Sequence, residues 1–301
     1  MDVSVIVINY NTFRLTCEAI ASIQAQTKGV SYEIILVDNA SSECDPALFT
    51  DKFGDAIMLV RNPENSGFAK GNNLGIQYAS GKTILLFNSD AACLNDALTI
   101  TYQALRANPQ LGVATARLEY PNGVIQPQCG RFPSVRLQLF ELLRLQKMLS
   151  PARTGVILQG TFFDYCSDLE PDWVWGTYFH FRREVLAGLP NGRLSDDFFM
   201  YSEDLEWSHA IRRLGYGIRY VATARVLHHF SQSTRQEKKL NQQRMIIENE
   251  SVFLRRAYGK LHTRAYYMAR WLLLHTMRNT DASAQLLREQ YGRLMRGQAL
   301  L

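Results

Sequence analysis

A chain of 301 residues, 47% of them hydrophobic, is long enough to bury a sizeable core, which excludes a disordered or fibrous protein. Its net charge of +5 hides an asymmetry: from Arg235 onward there are 13 Lys/Arg against 5 Asp/Glu, whereas residues 1–234 carry 20 against 23. No apolar run reaches the roughly 18–20 residues of a membrane span, and the best, "YYMARWLLLHTM", is interrupted by Arg270, so the chain reads as non-transmembrane.

In chain order, "MDVSVIVINY" comes first, with an acid at residue 2 and no basic stretch, which predicts no secretory leader. The cysteines at 17, 44, 93, 129 and 166 are scattered and lack paired metal spacing, which predicts the reduced thiols of a cytoplasmic protein. The first 120 residues alternate strand-like runs ("VSVIVINY", "YEIILVDN", "AIMLVRN", "TILLFNSD") with helical spacing over 14–27 and 68–80. Alternation of this kind predicts an α/β fold with a mostly parallel central sheet. Ligands of such sheets sit beyond the carboxyl ends of the strands. Asn9 to Asn11, Asp38 with Asn39, and Asn88 to Asp90 fall at those ends, although each also suits an ordinary turn. "ENSGFAKGNNLGI" adds a polar loop with Gly67, Gly71 and Gly75, which matches neither a P-loop nor a dinucleotide fingerprint.

Prolines divide residues 121–175 into short pieces. Within them "SVRLQLFELLRLQKML" reads as an amphipathic packing helix and 150–172 as a mobile loop. "WVWGTYFHF" follows, with Trp173, Trp175 and Tyr178 as either sugar-stacking rings or core. A helix begins at Glu203, where Glu203, Asp204 and Glu206 either complement the helix dipole or, beside the apolar "FFMY", supply a general base. The strand through "YVATARVLHHF" then brings His228 and His229 to its end, where imidazole and the Asp90 carboxylate would suit a divalent metal.

Seven segments in this order ("VSVIVINYN", "ILVDNAS", "NSGFAKGNNLGI", "LLFNSDA", "GTYFHFRREV", "FFMYSEDLEWSHAIRRLGY" and "ARVLHHF") resemble the family 2 inverting glycosyltransferases, in particular the rhamnosyltransferase-like branch acting on cell-surface polysaccharides such as lipopolysaccharide. The resemblance implies a GT-A fold over residues 1–234, a Rossmann-like nucleotide-binding half and an acceptor-binding half, followed by a basic helical extension over 235–301. It implies a nucleotide-sugar site of Asn9, Tyr10, Asp38, Asn65, Gly67, Asn72, Asn88 and Ser89, with Asp38 accepting from a uracil or thymine ring. Asp90 and His228 would hold Mg or Mn; Asn88 departs from the acid commonly found at its position. Asp204 would be the general base, Glu203 its neighbour, and Trp175, Gly176 and Tyr178 would line the acceptor site. The donor implied is dTDP- or UDP-linked, rhamnose first, and the acceptor a saccharide or lipid-linked saccharide.

Helical spacing over 236–278 interleaves Tyr266, Tyr267 and Trp271 with Arg255, Arg264, Arg270 and Arg278. Such a tail suits either the anionic inner face of the cytoplasmic membrane or packing against the catalytic domain or a second copy. Two rival classes also fit the sequence: a non-catalytic nucleotide binder with a degenerate metal motif, and a nucleic-acid binder acting through the tail, although no nucleic acid is expected.

Overall fold

The computed structural model describes residues 1–229, 236–276 and 282–298. The expected boundary at 234/235 and Arg278 lie outside them. In chain order the elements are β1 (Val3–Asn9), α1 (Phe13–Gln26), β2 (Tyr32–Asn39), α2 (Ala47–Phe53), β3 (Met58–Asn62), α3 (Gly67–Ile76), β4 (Thr83–Asn88), β5 (Ala91–Cys93), α4 (Ala97–Ala107), β6 (Leu111–Glu119) and β7 (Cys129–Gly130). There follow α5 (Val135–Leu142), α6 (Pro151–Leu158), β8 (Trp173–Val174), β9 (Tyr178–Arg182), α7 (Val185–Gly188), α8 (Glu203–Arg213), β10 (Gly217–His228), α9 (Gln236–Thr276) and α10 (Ala282–Met295). Two compact units result: Met1–Gly130 with Asp164–Phe230, and Arg131–Phe163 with Ser231–Leu301.

The first unit is built on an eight-stranded sheet in the order β3-β2-β1-β4-β9-β6-β10-β5. Strands β3, β2, β1 and β4 are parallel, as their β-branched and apolar runs predict. The sheet is mixed rather than wholly parallel, because β9 runs antiparallel to both β4 and β6 and β5 runs antiparallel to β10. Register aligns the polar ends: Asn9 pairs with Asp38, Asn39 with Asn62, and Ile8 with Asn88. The buried middles of these strands supply the core, and their carboxyl ends form one polar rim.

Strand β10 breaks register with β6 between Val221 and Arg225. The irregularity is held by polar contacts: Asn95 Nδ2 donates to Thr223 O (2.8 Å), Arg225 N to Asn95 Oδ1 (2.9 Å) and Ala222 N to Asp168 Oδ1 (2.9 Å). Buried Glu119 lies 2.7 and 2.9 Å from the Arg225 guanidinium and 2.9 Å from Arg117 Nε. The Arg225 hydrogen bond, outweighing burial, holds the Glu119 carboxyl below the usual range. Glu119→Ala is therefore expected to destabilise the fold by about 1–2 kcal/mol at neutral pH, the partial exposure of both arginines keeping the loss below that of a fully buried pair. A carboxyl with a depressed folded pKa stabilises above its unfolded value and loses that effect as pH falls through the folded one, so the gap in thermal midpoint closes in acid. Equal midpoints of variant and wild type at pH 7 would contradict this role.

The second unit is helical. Residues 150–172, expected as a loop, include α6, begun by the Ser150 side chain accepting from Arg153 N and by Pro151 at its first position. Gly259, at φ 79°, breaks α9 into two segments. Tyr266, Tyr267 and Tyr291 are buried in the unit; Tyr267 Oη donates to Ser251 Oγ (2.6 Å) and Tyr291 Oη to Glu250 Oε1 (3.1 Å). Arg270 Nη1 donates to Gln138 Oε1 at 3.3 Å. These rings and this arginine serve internal packing, so they do not form the bilayer-facing surface that the tail's sequence offered as one alternative. Among the described residues no helix is long and apolar enough to cross a membrane, and all five cysteines are free.

Candidate functional site

The rim of the parallel strands carries two carboxamide networks. Asn9 is buried at the end of β1: its Nδ2 donates to Asp38 Oδ1 (2.8 Å) and Ser41 Oγ (2.9 Å), and its Oδ1 accepts from Thr12 (3.1 Å) and Thr16 (2.8 Å). Asn9 thus orients Asp38, whose other oxygen accepts from Ser41 N at 3.2 Å. Tyr10 beside them is exposed. Asn39 organises the next loop, donating to Asn65 Oδ1 (2.9 Å) and Gly67 O (3.3 Å) and accepting from Asn62 Nδ2 (2.7 Å). The sequence marked Asn39 only as a polar strand end; a period-2 pattern does not show that its carboxamide holds the loop containing Asn65 and Gly67.

Gly67 opens α3 at φ 83°, and Phe68 N donates to Phe199 O at 3.0 Å, so the loop ahead of α3 is tied to the segment ahead of α8. The two helices also meet through Phe68 and buried Trp207, whose rings stack with centroids 6.1 Å apart. Asn72, on α3, donates to Phe68 O (3.0 Å) and leaves its buried Oδ1 without a partner.

At the end of β4, Asn88 Nδ2 reaches Thr177 Oγ1 (3.4 Å) while its buried Oδ1 has no partner; Ser89 Oγ accepts from Thr12 (3.0 Å). The antiparallel pairing of β5 with β10 sets His228 opposite Ala91 and so brings it beside Asp90, with His228 Nε2 at 3.4 Å from Asp90 Oδ1. His229 N donates to Asp90 O at 2.9 Å, so His229 touches this turn through its backbone.

Gln126 settles how the His228 ring is protonated. Its Nε2 donates to the His228 carbonyl (2.7 Å), which can only accept; its Oε1 therefore faces Nδ1, also at 2.7 Å, and Nδ1 must carry the hydrogen. This is the arrangement of a metal-ligating histidine, with the outer nitrogen bonded to a carbonyl and Nε2 turned inward, toward Asp90. Burial alone would raise the Asp90 carboxyl, but His228, donating from Nε2 with a proton that a cation would displace, holds it below the usual range. One carboxylate, one imidazole nitrogen and an orphaned amide oxygen fit a divalent cation whose other ligands come from a bound phosphate. Among the described residues no group of three His, Cys, Asp or Glu forms a closed cage.

Glu203 and Asp204 begin α8. Tyr201 and Ser202 before them both have positive φ (69° and 67°), strain of roughly 1–3 kcal/mol each that aims the first turn of the helix. Asp204 Oδ2 accepts from Gly176 N (3.0 Å) and Oδ1 from Leu205 N (2.8 Å). Burial raises the Asp204 carboxyl above the ordinary range against these two bonds. Burial, reinforced by the charge of Asp204, raises Glu203 further, and its Oε2 has no partner. Asp204 is thus the acid of the pair that ionises first, which is the state a proton acceptor needs.

Of the acceptor candidates, Gly176 supplies the N–H that orients Asp204, and Trp175 stands half-buried with its ring edge-on to His228, centroids 6.4 Å apart. Tyr178 is a correction. It is fully buried on β9, with its hydroxyl 2.9 Å from Thr101 Oγ1, and offers no face to a sugar. Gln126 had no signal in the sequence, lying in the proline-divided stretch without periodicity.

Residues 4–155, just over half of the chain, match the family described as glycosyl transferase family 2. Among curated proteins, the chain is 30% identical over 154 residues to the succinoglycan biosynthesis protein ExoO of Rhizobium meliloti, covering 50% of this chain and 41% of that protein. It is 24% identical over 232 residues to the low-salt glycan biosynthesis hexosyltransferase Agl10 of Haloferax volcanii, covering 75% and 67%. The uncharacterized glycosyltransferase YwdF of Bacillus subtilis is 34% identical over 92 residues, the match spanning only 33% of its length. Among solved structures, the mannosyltransferase PcManGT of Pyrobaculum calidifontis, in complex with GDP-Man and Mn2+, superposes with a TM-score of 0.58 at 19% identity, covering 98% of this chain and 83% of that one. S. aureus TarS gives 0.55 at 17%, covering 97% and 48%. At such identities the likeness is one of fold, and the fold is the GT-A arrangement expected from the sequence. The family match covers the polar rim and Asp90, the structural likeness extends through α8 and β10, and on the strength of that match the chain belongs to glycosyl transferase family 2.

Proposed function

We propose that this glycosyltransferase moves a sugar, with inversion, from a nucleoside diphosphate donor to a saccharide or lipid-linked saccharide acceptor in polysaccharide synthesis. The observation that carries the reading is the meeting of Asp90 and His228, from distant parts of the catalytic unit's chain, at the rim where the polar strand ends converge. A divalent cation held by Asp90 and His228, Mg or Mn, would disperse the charge of the departing diphosphate. Asp38 would accept from the base, and Asn65, Gly67 and Asn72 would close over ribose and phosphates. Asp204, its carboxylate aimed by Gly176 N–H, would take the proton of the acceptor hydroxyl as it attacks the anomeric carbon, and no covalent intermediate is needed. The resemblance points to dTDP- or UDP-linked donors with rhamnose first; the GDP-Man and Mn2+ of PcManGT support the nucleotide-sugar class and the cation. A lipid-linked acceptor would favour a place at the inner face of the cytoplasmic membrane.

A screen of nucleotide sugars for metal-dependent release of the diphosphate tests this reading. One donor is expected to be turned over with Mg or Mn and spared with a chelator. Asp90→Ala and His228→Ala are each expected to weaken nucleoside diphosphate binding in the presence of the metal, by roughly tenfold or more, the scale reported for lost metal-site partners. Calorimetric titration with and without the cation reads that effect. Unchanged affinity and unchanged metal dependence in both variants would remove the cation from this pair.

A further inference from the structure

The segment between β7 and β8 inverts the pattern of a helix that only packs. On α5, Gln138 is 6% exposed and accepts from Arg270, whereas Leu139 and Leu143 on the same helix end are 42% and 66% exposed. The chain then turns through Arg144, at φ 57°, into a short helical turn over Leu145–Met148, where Leu145 is exposed and Met148 is 81% exposed. A surface helix ordinarily hides its leucines and shows its glutamine. Four large exposed apolar side chains within ten residues of chain suit an interaction surface.

The charge around the tip identifies the partner. Residues 131–163 contain five Lys/Arg and a single acid, Glu141. Arg136, Arg144, Lys147 and Arg153 are all exposed, and among the described residues none lies within ion-pair distance of an acid. Exposed apolar side chains interspersed along the chain with exposed cations fit a surface that offers negative charge above hydrocarbon, which is an anionic lipid bilayer. A second copy of this chain fits poorly, because an isologous contact through the tip would set the same cations against each other.

We propose that residues 136–153 form a docking tip for the anionic surface of a membrane. Leu139, Leu143, Leu145 and Met148 enter the boundary between headgroups and acyl chains, and Arg136, Arg144, Lys147 and Arg153 meet lipid phosphates. This deepens the acceptor side of the proposed function and rests on it for its purpose: a lipid-linked acceptor is presented at that surface.

Co-sedimentation of the full chain with vesicles tests the proposal without any turnover. Binding is expected to vesicles containing phosphatidylglycerol, to be far weaker to phosphatidylcholine alone, and to fade in high salt. Arg144→Glu with Lys147→Glu is expected to lower partitioning by roughly 30-fold or more, and Leu143→Ser with Met148→Ser by roughly tenfold or more, each with an unaltered thermal midpoint. Leu261→Ser on α9, at a residue 86% exposed, serves as the control and is expected to bind like wild type. The proposal is overturned if the wild type ignores anionic vesicles, if both double variants bind like it, or if Leu261→Ser lowers binding as much as they do. It is also overturned if Leu143→Ser with Met148→Ser dissolves an oligomer in the absence of lipid, since the tip would then face a second copy. Diphosphate release, measured separately without vesicles, reports on the enzymatic reading and is expected to be the same in all of these variants.

Discussion

Asp204→Asn is expected to leave nucleoside diphosphate affinity near wild type and to lower sugar transfer by roughly 100-fold or more, the usual scale for loss of a general base. The substitution preserves volume and removes basicity, while the new amide must turn its NH2 against Gly176 N–H or Leu205 N–H, each of which now donates to the carboxylate. Donor titration beside steady-state transfer separates the two effects. Transfer at near wild-type rate would move the role to another group, with Glu203 the first to examine.

The same pair sets the pH dependence. Since burial raises Asp204, transfer is expected to decline as pH falls through a value above the ordinary carboxylate range, rather than deep in acid. The consequence for stability has the opposite sense. A carboxyl whose folded pKa is raised contributes stability that is complete below its unfolded pKa and is lost as pH climbs through the folded one. Glu203, raised further by burial and by Asp204, is a standing cost once it ionises. Glu203→Gln is accordingly expected to raise the thermal midpoint at alkaline pH and to leave it unchanged in acid. A variant gain that persists at low pH would mean that the benefit comes from packing and not from the removed charge.

Gly67→Ala is expected to destabilise the fold by about 3 kcal/mol and to weaken donor binding together with it. A Cβ at Gly67 would stand 2.3 Å from Phe199 O and 2.8 Å from Phe199 Cδ2, and the φ of 83° adds its own strain. The clash is with backbone and cannot be relieved by a rotamer. It would part the loop ahead of α3 from the segment that leads into the candidate base. Gly71→Ala on the same helix is the contrast, because its Cβ would meet Ile8 Cδ1 at 3.4 Å, an ordinary contact. Chemical denaturation and donor titration of the two variants decide the matter: similar behaviour would show that the Gly67 turn tolerates a side chain.

Much of the catalytic unit was legible residue by residue. The runs from Val3, Tyr32, Met58 and Thr83 are strands, and their polar ends lie on one rim, because β-branched alternation and a parallel register both act along the chain. Glu203 does open a helix. Other assignments needed partners that no local pattern names. Trp175 and Tyr178 look equivalent in "WVWGTYFHF", yet the insertion of β9 between β4 and β6 buries Tyr178 and leaves Trp175 beside His228. Residues 134–149, expected as one amphipathic packing helix, form a helix only as far as Leu142, and the side it buries holds Gln138, which accepts from Arg270 on α9.

By itself the sequence determined where the first four strands and the helix from Glu203 lie, that polar side chains crowd the carboxyl ends of parallel strands, and that the tail is basic and helical. Only the tertiary structure decided that His228 faces Asp90, that Gln126 assigns the proton of its ring, that Gly176 aims Asp204, and that residues 131–163 join the C-terminal helices. The physical reason is one of range. Periodicity records whether a side chain meets core or water within its own element, whereas the choice of partner is made by sheet order and packing between segments far apart in the chain.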